Sequence, residues 1–167
     1  MDNAQKNSYV RKQITNALIG LLGEKEFKDI SVSEITRTAQ VGRISFYRNY
    51  AEKEDILRQH IKALLKKWQE SFDRSGGNDI NEMWGSLFGH FTENRDFYLL
   101  LYRQGLSLLL LDSVKAICGP KKEQGNLEAY FAAFMSHGLY GWIDEWFARG
   151  MEESAETMAQ LLKGMEQ

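Results

Sequence analysis

Apolar side chains recur at three- and four-residue steps along most of this chain, the spacing that places them on one face of an α-helix. The first such stripe runs from residue 10 to 22 and stops at Gly23. A second begins near Val32, a third covers about residues 43–50, and a fourth begins around Glu52. The N-terminal part of the chain is therefore predicted to contain four helices.

The remainder of the chain repeats this helical pattern. Residues 75–79 read SGGND, a composition that indicates a loop. After this loop we predict helices over 80–91, 96–111, 127–150 and 155 to about 165. Nowhere do apolar and polar residues alternate with the period of two that marks a strand, so the sequence predicts an all-α fold.

Local signals define a helix-turn-helix between the second and third helices. Ser31 and Glu34 form an S-x-x-E capping box, in which the hydroxyl and the carboxylate each bind a backbone N–H at the start of a helix. Residues 40–42, which include Gly42, then separate the two helices. Two helices joined by a short turn that contains glycine are typical of this motif.

The charge is divided unevenly along the chain. The 167 residues have a net charge of -2, but residues 1–67 carry 13 basic and 8 acidic side chains, whereas residues 68–167 carry 8 and 15. The first part is therefore +5 and the remainder -7. This division suggests that the N-terminal part meets a polyanion, although an uneven surface charge without a partner would look the same.

Several classes of protein are disfavoured. No apolar run approaches the roughly 20 residues that span a bilayer, and the N-terminus has no apolar signal core, which predicts a soluble cytoplasmic protein. Cys118 stands alone as an expected buried thiol, and His60, His90 and His137 fall on separate predicted helices. We find no metal-ligand spacing, catalytic triad order or glycine-rich phosphate loop, and we expect no enzyme activity, cofactor or metal.

The third helix carries the candidate chemistry. With Phe46 and Tyr50 facing inward, its outward residues suit a DNA major groove, where an arginine can bond a guanine and Ile44 can contact a thymine methyl. Hydroxyl, amide and ammonium groups nearby would reach phosphates. The alternative is a solvated helix face. The predicted DNA-binding residues are Ser33, Gly42, Arg43, Ile44, Ser45, Tyr47, Arg48, Asn49 and Lys53.

Residues 31–57, SVSEITRTAQVGRISFYRNYAEKEDIL, resemble the DNA-binding signature of TetR-family transcriptional regulators. The positions that match are Ile35, Ala39, Val41, Phe46, Tyr47, Lys53, Glu54 and Leu57. Residues 137–162 also look like the last two helices of one TetR subgroup. The resemblance implies a homodimer that binds a palindromic operator, usually as a repressor, with a C-terminal body that dimerises and often holds a small-molecule inducer.

The same resemblance implies a division into three parts. Residues 1–52 would form a helix-turn-helix head, 53–74 a connecting helix, and 75–167 a C-terminal helical body for dimerisation and inducer binding. A TetR-fold adaptor or coactivator that acts through a protein partner is the alternative. Four positions depart from the usual pattern: Gln40 replaces a glycine, Gly42 a Ser or Thr cap, Ile44 a small residue, and Asn49 a histidine. We expect backbone strain at Gln40 if that position needs a positive φ.

The C-terminal body contains two candidate surfaces. The segment 127–150 is apolar around most of its circumference, so a symmetry-related copy could cover the side that its own domain leaves open. The predicted dimer residues are Phe131, Phe134, Met135, Gly138, Leu139, Trp142, Trp146, Met158, Leu161 and Leu162. Aromatic residues of the middle helices could line a pocket for a small apolar or aromatic ligand, or could simply be a packed core. They are Trp68, Trp84, Phe88, Phe91, Tyr98 and Tyr102.

Overall fold

The computed structural model describes residues 3–76 and 79–164, and all its regular structure is helical. Part of the predicted loop at 75–79 and the predicted helix end at 165 lie outside the described residues. The predicted all-α fold is confirmed. The α-helices are α1 Asn3–Leu22, α2 Val32–Thr38, α3 Arg43–Tyr47, α4 Lys53–Arg74, α5 Ile80–Glu93, α6 Arg95–Arg103, α7 Leu108–Cys118, α8 Asn126–Ala148 and α9 Ala155–Gly164.

The chain forms two compact units, Met1–Ile61 and Lys62–Gln167, here called the head unit and the body unit. Helix α4 contributes residues to both. In the head unit the apolar stripes of α1 to α4 meet in one core, and a short 3-10 helix, Phe27–Asp29, links α1 to α2. The fully buried side chains of this core include Ile14, Leu18, Leu22, Ile30, Ile35, Phe46, Ile56 and Leu57.

The capping box forms at the start of α2. The Ser31 hydroxyl accepts a hydrogen bond from the Glu34 N–H at 3.2 Å, and the Glu34 carboxylate accepts from the Ser31 backbone N–H. Glu34 also pairs with the Lys25 ammonium, which is the main reason that the pKa of this carboxyl lies below its usual range. The start of α2 is therefore held by its own capping box and by Lys25, which follows the end of α1.

A Schellman motif ends α2 at Gln40. The Val41 N–H donates to the Thr36 carbonyl at 3.0 Å, the Gln40 N–H donates to the Arg37 carbonyl at 3.1 Å, and the φ of Gln40 is 55°. The sequence left open whether this position needs a positive φ, and the structure shows that it does. Gly42 is the N-cap residue of α3 and, as a glycine, supplies no side chain to cap the helix.

The body unit differs from its prediction over residues 96–118, where α7 also continues to Cys118, beyond the predicted helix end at 111. The predicted helix over 96–111 is broken into α6 and α7, because Gly105 has a φ of 68° and the Leu106 N–H closes a Schellman motif on the Leu101 carbonyl at 2.9 Å. In the packing of the unit, α5 lies against α9, and α8 lies against α6 and α7. No helix in the described parts of the chain combines the length and apolarity needed to cross a membrane.

Candidate nucleic-acid interface

Helix α3 is anchored by its inward face. Phe46 is fully buried, and its ring contacts those of Tyr47 and Tyr50 at centroid distances of 5.2 and 5.7 Å. Helical geometry stops at Tyr47, earlier than predicted, but the Tyr50 N–H still donates to the Phe46 carbonyl at 2.9 Å. The chain therefore continues as a turn that keeps Tyr50 in the core.

The opposite side of α3 faces outward. Ile44 is 77% exposed and Tyr47 60% exposed, and Arg43 and Arg48 are exposed as well. This side of α3 therefore presents two large apolar side chains beside two arginines. Asn49 is half-buried and donates to the Ser45 carbonyl at 2.8 Å, an arrangement that ties the two predicted contact residues together at the end of the helix.

The starts of α2 and α3 meet through a hydrogen bond between side chains. The Arg43 guanidinium donates to the Ser33 hydroxyl oxygen at 2.5 Å, and both residues are exposed. Ser33 and Arg43 are ten positions apart, so the fold of the turn brings together two predicted DNA-binding residues. The hydrogen bond orients the guanidinium along the outer surface of the motif.

The charge of this surface favours a polyanion. Residues 35–51 contain three arginines, Arg37, Arg43 and Arg48, and no carboxylate. An arginine fork can bond the O6 and N7 of guanine together, an isoleucine can contact a thymine methyl, and a tyrosine hydroxyl can donate to a phosphate. The exposed set on α3 thus contains groups for reading bases as well as groups for binding the backbone.

Lys53 is placed differently from the prediction. Its ammonium donates to the carbonyl oxygens of Phe27 at 2.6 Å and Ile30 at 2.8 Å, with Lys28 at 3.5 Å, and lies 4.3 Å from the centroid of the Phe27 ring. An ammonium has three N–H donors, so these contacts occupy it within the protein. In this arrangement Lys53 positions the 3-10 helix, and its predicted contact with a phosphate stays a prediction.

Five of the six predicted pocket aromatics are buried in the core of the body unit. Phe88, Phe91 and Tyr98 are fully buried, and ring centroids of Phe91 and Tyr98 lie 4.8 Å apart. Trp68 and Trp84 border a cavity of about 30 Å³, far smaller than the several hundred Å³ of typical ligand pockets. Tyr102 is half-buried on α6. The alternative interpretation, a core, describes this cluster better.

The predicted dimer residues fall into three groups. Leu139, Trp146 and Met158 are buried within the chain itself, which differs from the prediction of a surface role. Met135, Trp142 and Leu162 are half-buried. Gly138 is exposed, and large exposed side chains remain at Phe131, Phe134 and Leu161.

Two further exposed apolar residues of α8, Leu127 and Tyr130, were missed by the prediction. They are 82% and 72% exposed. Leu127 continues the helical spacing of Phe131 and Phe134, and that spacing could have identified it from the sequence.

The histidines and the cysteine take structural positions. His90 is buried and shares a hydrogen bond between Nε2 and the Tyr98 hydroxyl at 2.9 Å, and burial lowers the pKa of this imidazole to about 4. Cys118 is half-buried, and burial raises the pKa of its thiol. Within residues 3–76 and 79–164, no group of three or more His, Cys, Asp or Glu is arranged to hold a metal ion.

Known proteins share both the sequence pattern and the fold. The family model for a TetR-type transcriptional regulator C-terminal region matches residues 78–166. An uncharacterized HTH-type transcriptional regulator of Haemophilus influenzae is 24% identical over 107 residues, 60% of this chain and 52% of that protein, so this chain spans about half of that relative. The crystal structure of Lin0861 from Listeria innocua superposes with a TM-score of 0.77 at 14% identity, covering 99% of this chain and 93% of that one. Because the family model covers more than half of it, the chain belongs to the TetR family of transcriptional regulators.

Proposed function

We propose that this regulator binds a palindromic operator as a homodimer and represses transcription, with one α3 helix in the major groove of each half-site. The observation that carries the proposal is the outward set on α3: exposed Arg43, Ile44, Tyr47 and Arg48 in a segment without carboxylates. Such binding represses transcription where the operator overlaps a promoter, because the bound dimer then excludes the transcription machinery.

Selection of bound duplexes from a random pool, using the whole protein, tests the proposal. The enriched sequences should contain two inverted half-sites. Arg43→Ala should relax the preference at one base pair per half-site, at a cost of about 1 to 3 kcal/mol for a lost bidentate contact. The matched control is Arg103→Ala, which removes an exposed arginine of α6 in the body unit and should leave the affinity unchanged.

Tyr47→Phe distinguishes backbone contacts from base contacts. It removes only the hydroxyl, so it should weaken binding to all duplexes by a similar factor and leave the selected sequence unchanged. Affinity should also fall steeply as salt rises, with a slope set by the number of phosphates contacted. An adaptor that used this fold only to bind proteins would show no enriched duplex and no such slope, and that result would refute the proposal.

The dimer in this proposal pairs two α8 helices. Residues Leu127, Phe131 and Phe134 lie on one stripe with Gly138 and Gly141, at steps of four, three, four and three. A Cβ atom added at either glycine would meet nothing within 4 Å in the described part of its own chain. In an antiparallel two-fold pair, the aromatic half of one helix would lie over the glycine half of the other, which satisfies the self-complementarity of an isologous interface.

Release by a small-molecule inducer belongs to the same proposal. A ligand that prefers one conformation of the body unit, with a coupling of about 1 to 3 kcal/mol, would weaken operator binding about 5- to 150-fold. The aromatic cluster with its cavity of about 30 Å³ offers too little room for such a ligand. The inducer site therefore has to be sought elsewhere in the body unit.

A further inference from the structure

A groove runs between the second half of α4 and the facing side of α5, wholly within the body unit. Its volume is about 530 Å³, within the range of pockets that bind drug-sized molecules. Unlike the aromatic cluster, it is lined by polar groups from both helices. The lining residues are Leu64, Lys67, Trp68, Ser71, Arg74, Ser86, Gly89, His90, Glu93 and Asn94.

The α4 wall carries the positive charge. Lys67, Ser71 and Arg74 follow at steps of four and three, so they project from one face of the helix, and all three are exposed. The Arg74 Nε donates to the Glu70 carbonyl at 3.0 Å, which holds the guanidinium close to the helix. Lys67 and Arg74 therefore flank the Ser71 hydroxyl along about two turns of α4.

The floor of the groove is fixed by hydrogen bonds that are buried or partly buried. The Trp68 indole N–H donates to the Ser86 hydroxyl at 2.9 Å, which links α4 to α5 directly. Buried His90 is held by Tyr98, and the Asn94 amide donates to the His90 carbonyl at 2.8 Å. A cleft whose polar lining is already ordered loses little conformational freedom when a ligand enters.

The upper part of the groove stays open because of Gly89. A Cβ atom placed there would meet nothing within 4 Å among the described residues, so none of their side chains occupies that position. Leu64 and the Trp68 ring supply apolar surface beside it. The groove therefore offers an apolar surface next to two cations, with Glu93 as the single carboxylate among its lining residues.

We propose that this groove binds a small organic carboxylate with an apolar ring, its carboxylate between Lys67 and Arg74 and its ring against Leu64 and Trp68. This assignment rests on the proposed function, for which it supplies the chemical class of the inducer. It replaces the apolar pocket expected from the sequence. The site lies on α4, the helix that contributes residues to both units.

The test uses 1-naphthoate as the probe and 1-naphthamide, which has the same ring without the charge, as its neutral counterpart. Isothermal titration calorimetry on the whole protein without DNA should show binding of naphthoate and much weaker binding of naphthamide. Lys67→Gln and Arg74→Gln should each weaken naphthoate binding by about fivefold, the effect of losing one exposed charge pair.

The matched control is Lys66→Gln. Lys66 precedes Lys67 on the same helix, is exposed and does not line the groove. Its ammonium lies 3.6 Å from the Glu70 carboxylate. Lys66→Gln removes one positive charge, the same change in net charge as Lys67→Gln. Equal effects of Lys66→Gln and Lys67→Gln would show that only net charge matters, and would overturn the proposal. Absence of naphthoate binding at millimolar concentration, or equal binding of naphthamide, would also overturn it.

These outcomes are independent of operator binding, which is measured separately by duplex selection. A protein that selects a palindromic duplex but ignores naphthoate would retain the proposed function without this site. If naphthoate binds as expected, adding it to the operator complex should reduce the affinity for DNA at least fivefold, and Lys67→Gln should reduce that response.

Discussion

Gln40 adopts a backbone conformation that its side chain disfavours. Its φ of 55° lies in the left-handed region, which also contains Gly105 and Gly150 at the ends of α6 and α8. In all three places the next N–H donates back to a carbonyl five residues earlier, at 2.8 to 3.0 Å. Glycine adopts this conformation without the penalty of a Cβ atom, so the glutamine holds strain of about 1 kcal/mol.

Gln40→Gly should therefore stabilise the head unit. We expect the free energy of unfolding to rise by about 0.5 to 1 kcal/mol, since the relief of strain exceeds the greater entropy of glycine in the unfolded chain. Urea denaturation followed by circular dichroism measures the change. Thr38→Gly, at an exposed helical position two residues earlier, should lower stability by a similar amount. A loss of stability in both variants would contradict the argument.

The ammonium group of Lys53 makes the hydrogen bonds through which this side chain stabilises the head unit. Lys53→Met keeps most of the apolar stem but leaves the carbonyls of Phe27 and Ile30 without that donor. We expect a loss of about 1 kcal/mol in the free energy of unfolding, because partial access of water compensates for the missing bonds. Lys28→Met provides the control, since the Lys28 side chain is 75% exposed and its pairing with Glu26 should contribute little.

Operator affinity of Lys53→Met distinguishes the two roles considered for this residue. If Lys53 positions the 3-10 helix, the salt dependence of binding should keep the slope of the unmodified protein. A slope reduced by about one would mean that the ammonium contacts a phosphate instead.

His90 makes stability depend on pH. Its pKa is lowered to about 4 in the folded protein by burial, whereas an unfolded histidine titrates near 6.5. Between these values the unfolded state binds the extra proton, so the stability of the body unit should fall as pH falls from about 6.5 to 4, by up to about 3 kcal/mol.

His90→Gln should flatten this pH dependence, although it also lowers stability at neutral pH by disturbing the hydrogen bond with Tyr98. The measurement is thermal unfolding at a series of pH values. His60, whose pKa burial also lowers, will leave a residual slope in the same direction. Equal slopes in the unmodified protein and His90→Gln would contradict the assignment.

At the scale of single elements, α3 and α8 show how burial on one side of a helix leaves an exposed surface on the other. Phe46 fixes the rotation of α3 about its own axis, and Ile44 and Tyr47 are then exposed as a consequence. In α8, Leu139, Ile143 and Trp146 lie against the body unit, which leaves Phe131 and Phe134 outward. The length of α8 allows one helix to serve both the core and a symmetry-related copy.

Phe134→Glu should disrupt the proposed α8 pairing. Phe134 is 73% exposed, so the charge should be tolerated in the single chain but not in a dry helix pair. Sedimentation equilibrium should show a shift from dimer to monomer. The control Leu108→Glu introduces the same charge at a 63% exposed position on α7 and should leave the dimer intact. A dimer that persists in Phe134→Glu would place the interface elsewhere.

At the scale of the whole molecule, a two-fold dimer with one α3 helix per half-site makes the operator spacing a strict requirement. Half-site centres should lie one helical turn, about 34 to 36 Å, or a multiple of it apart. Inserting about five base pairs between the half-sites turns one of them to the opposite side of the duplex, and should reduce affinity to the nonspecific level, whereas about ten should restore much of it. Equal affinity for all three duplexes would mean that the two heads bind independently.

The sequence by itself determined the helical fold, the start of α2 at Ser31 and the outward set on α3. Each of these depends on local physics, namely helical periodicity, a capping box that spans four residues, and one aromatic anchor that orients a short helix. The break at Gly105 was within reach of the same reasoning, but the apolar pattern continues through it and conceals the change of direction.

Tertiary structure alone decided which neighbour covers each apolar or charged group. From the sequence alone, the Lys53 ammonium could bind either a phosphate or backbone carbonyls. The fold places the carbonyls of Phe27 and Ile30 beside it. Likewise, α8 is apolar around most of its circumference, so only the packing of the body unit separates buried Trp146 from exposed Tyr130. Periodicity identifies the apolar face of a helix, but the contacts between distant segments determine what lies against that face.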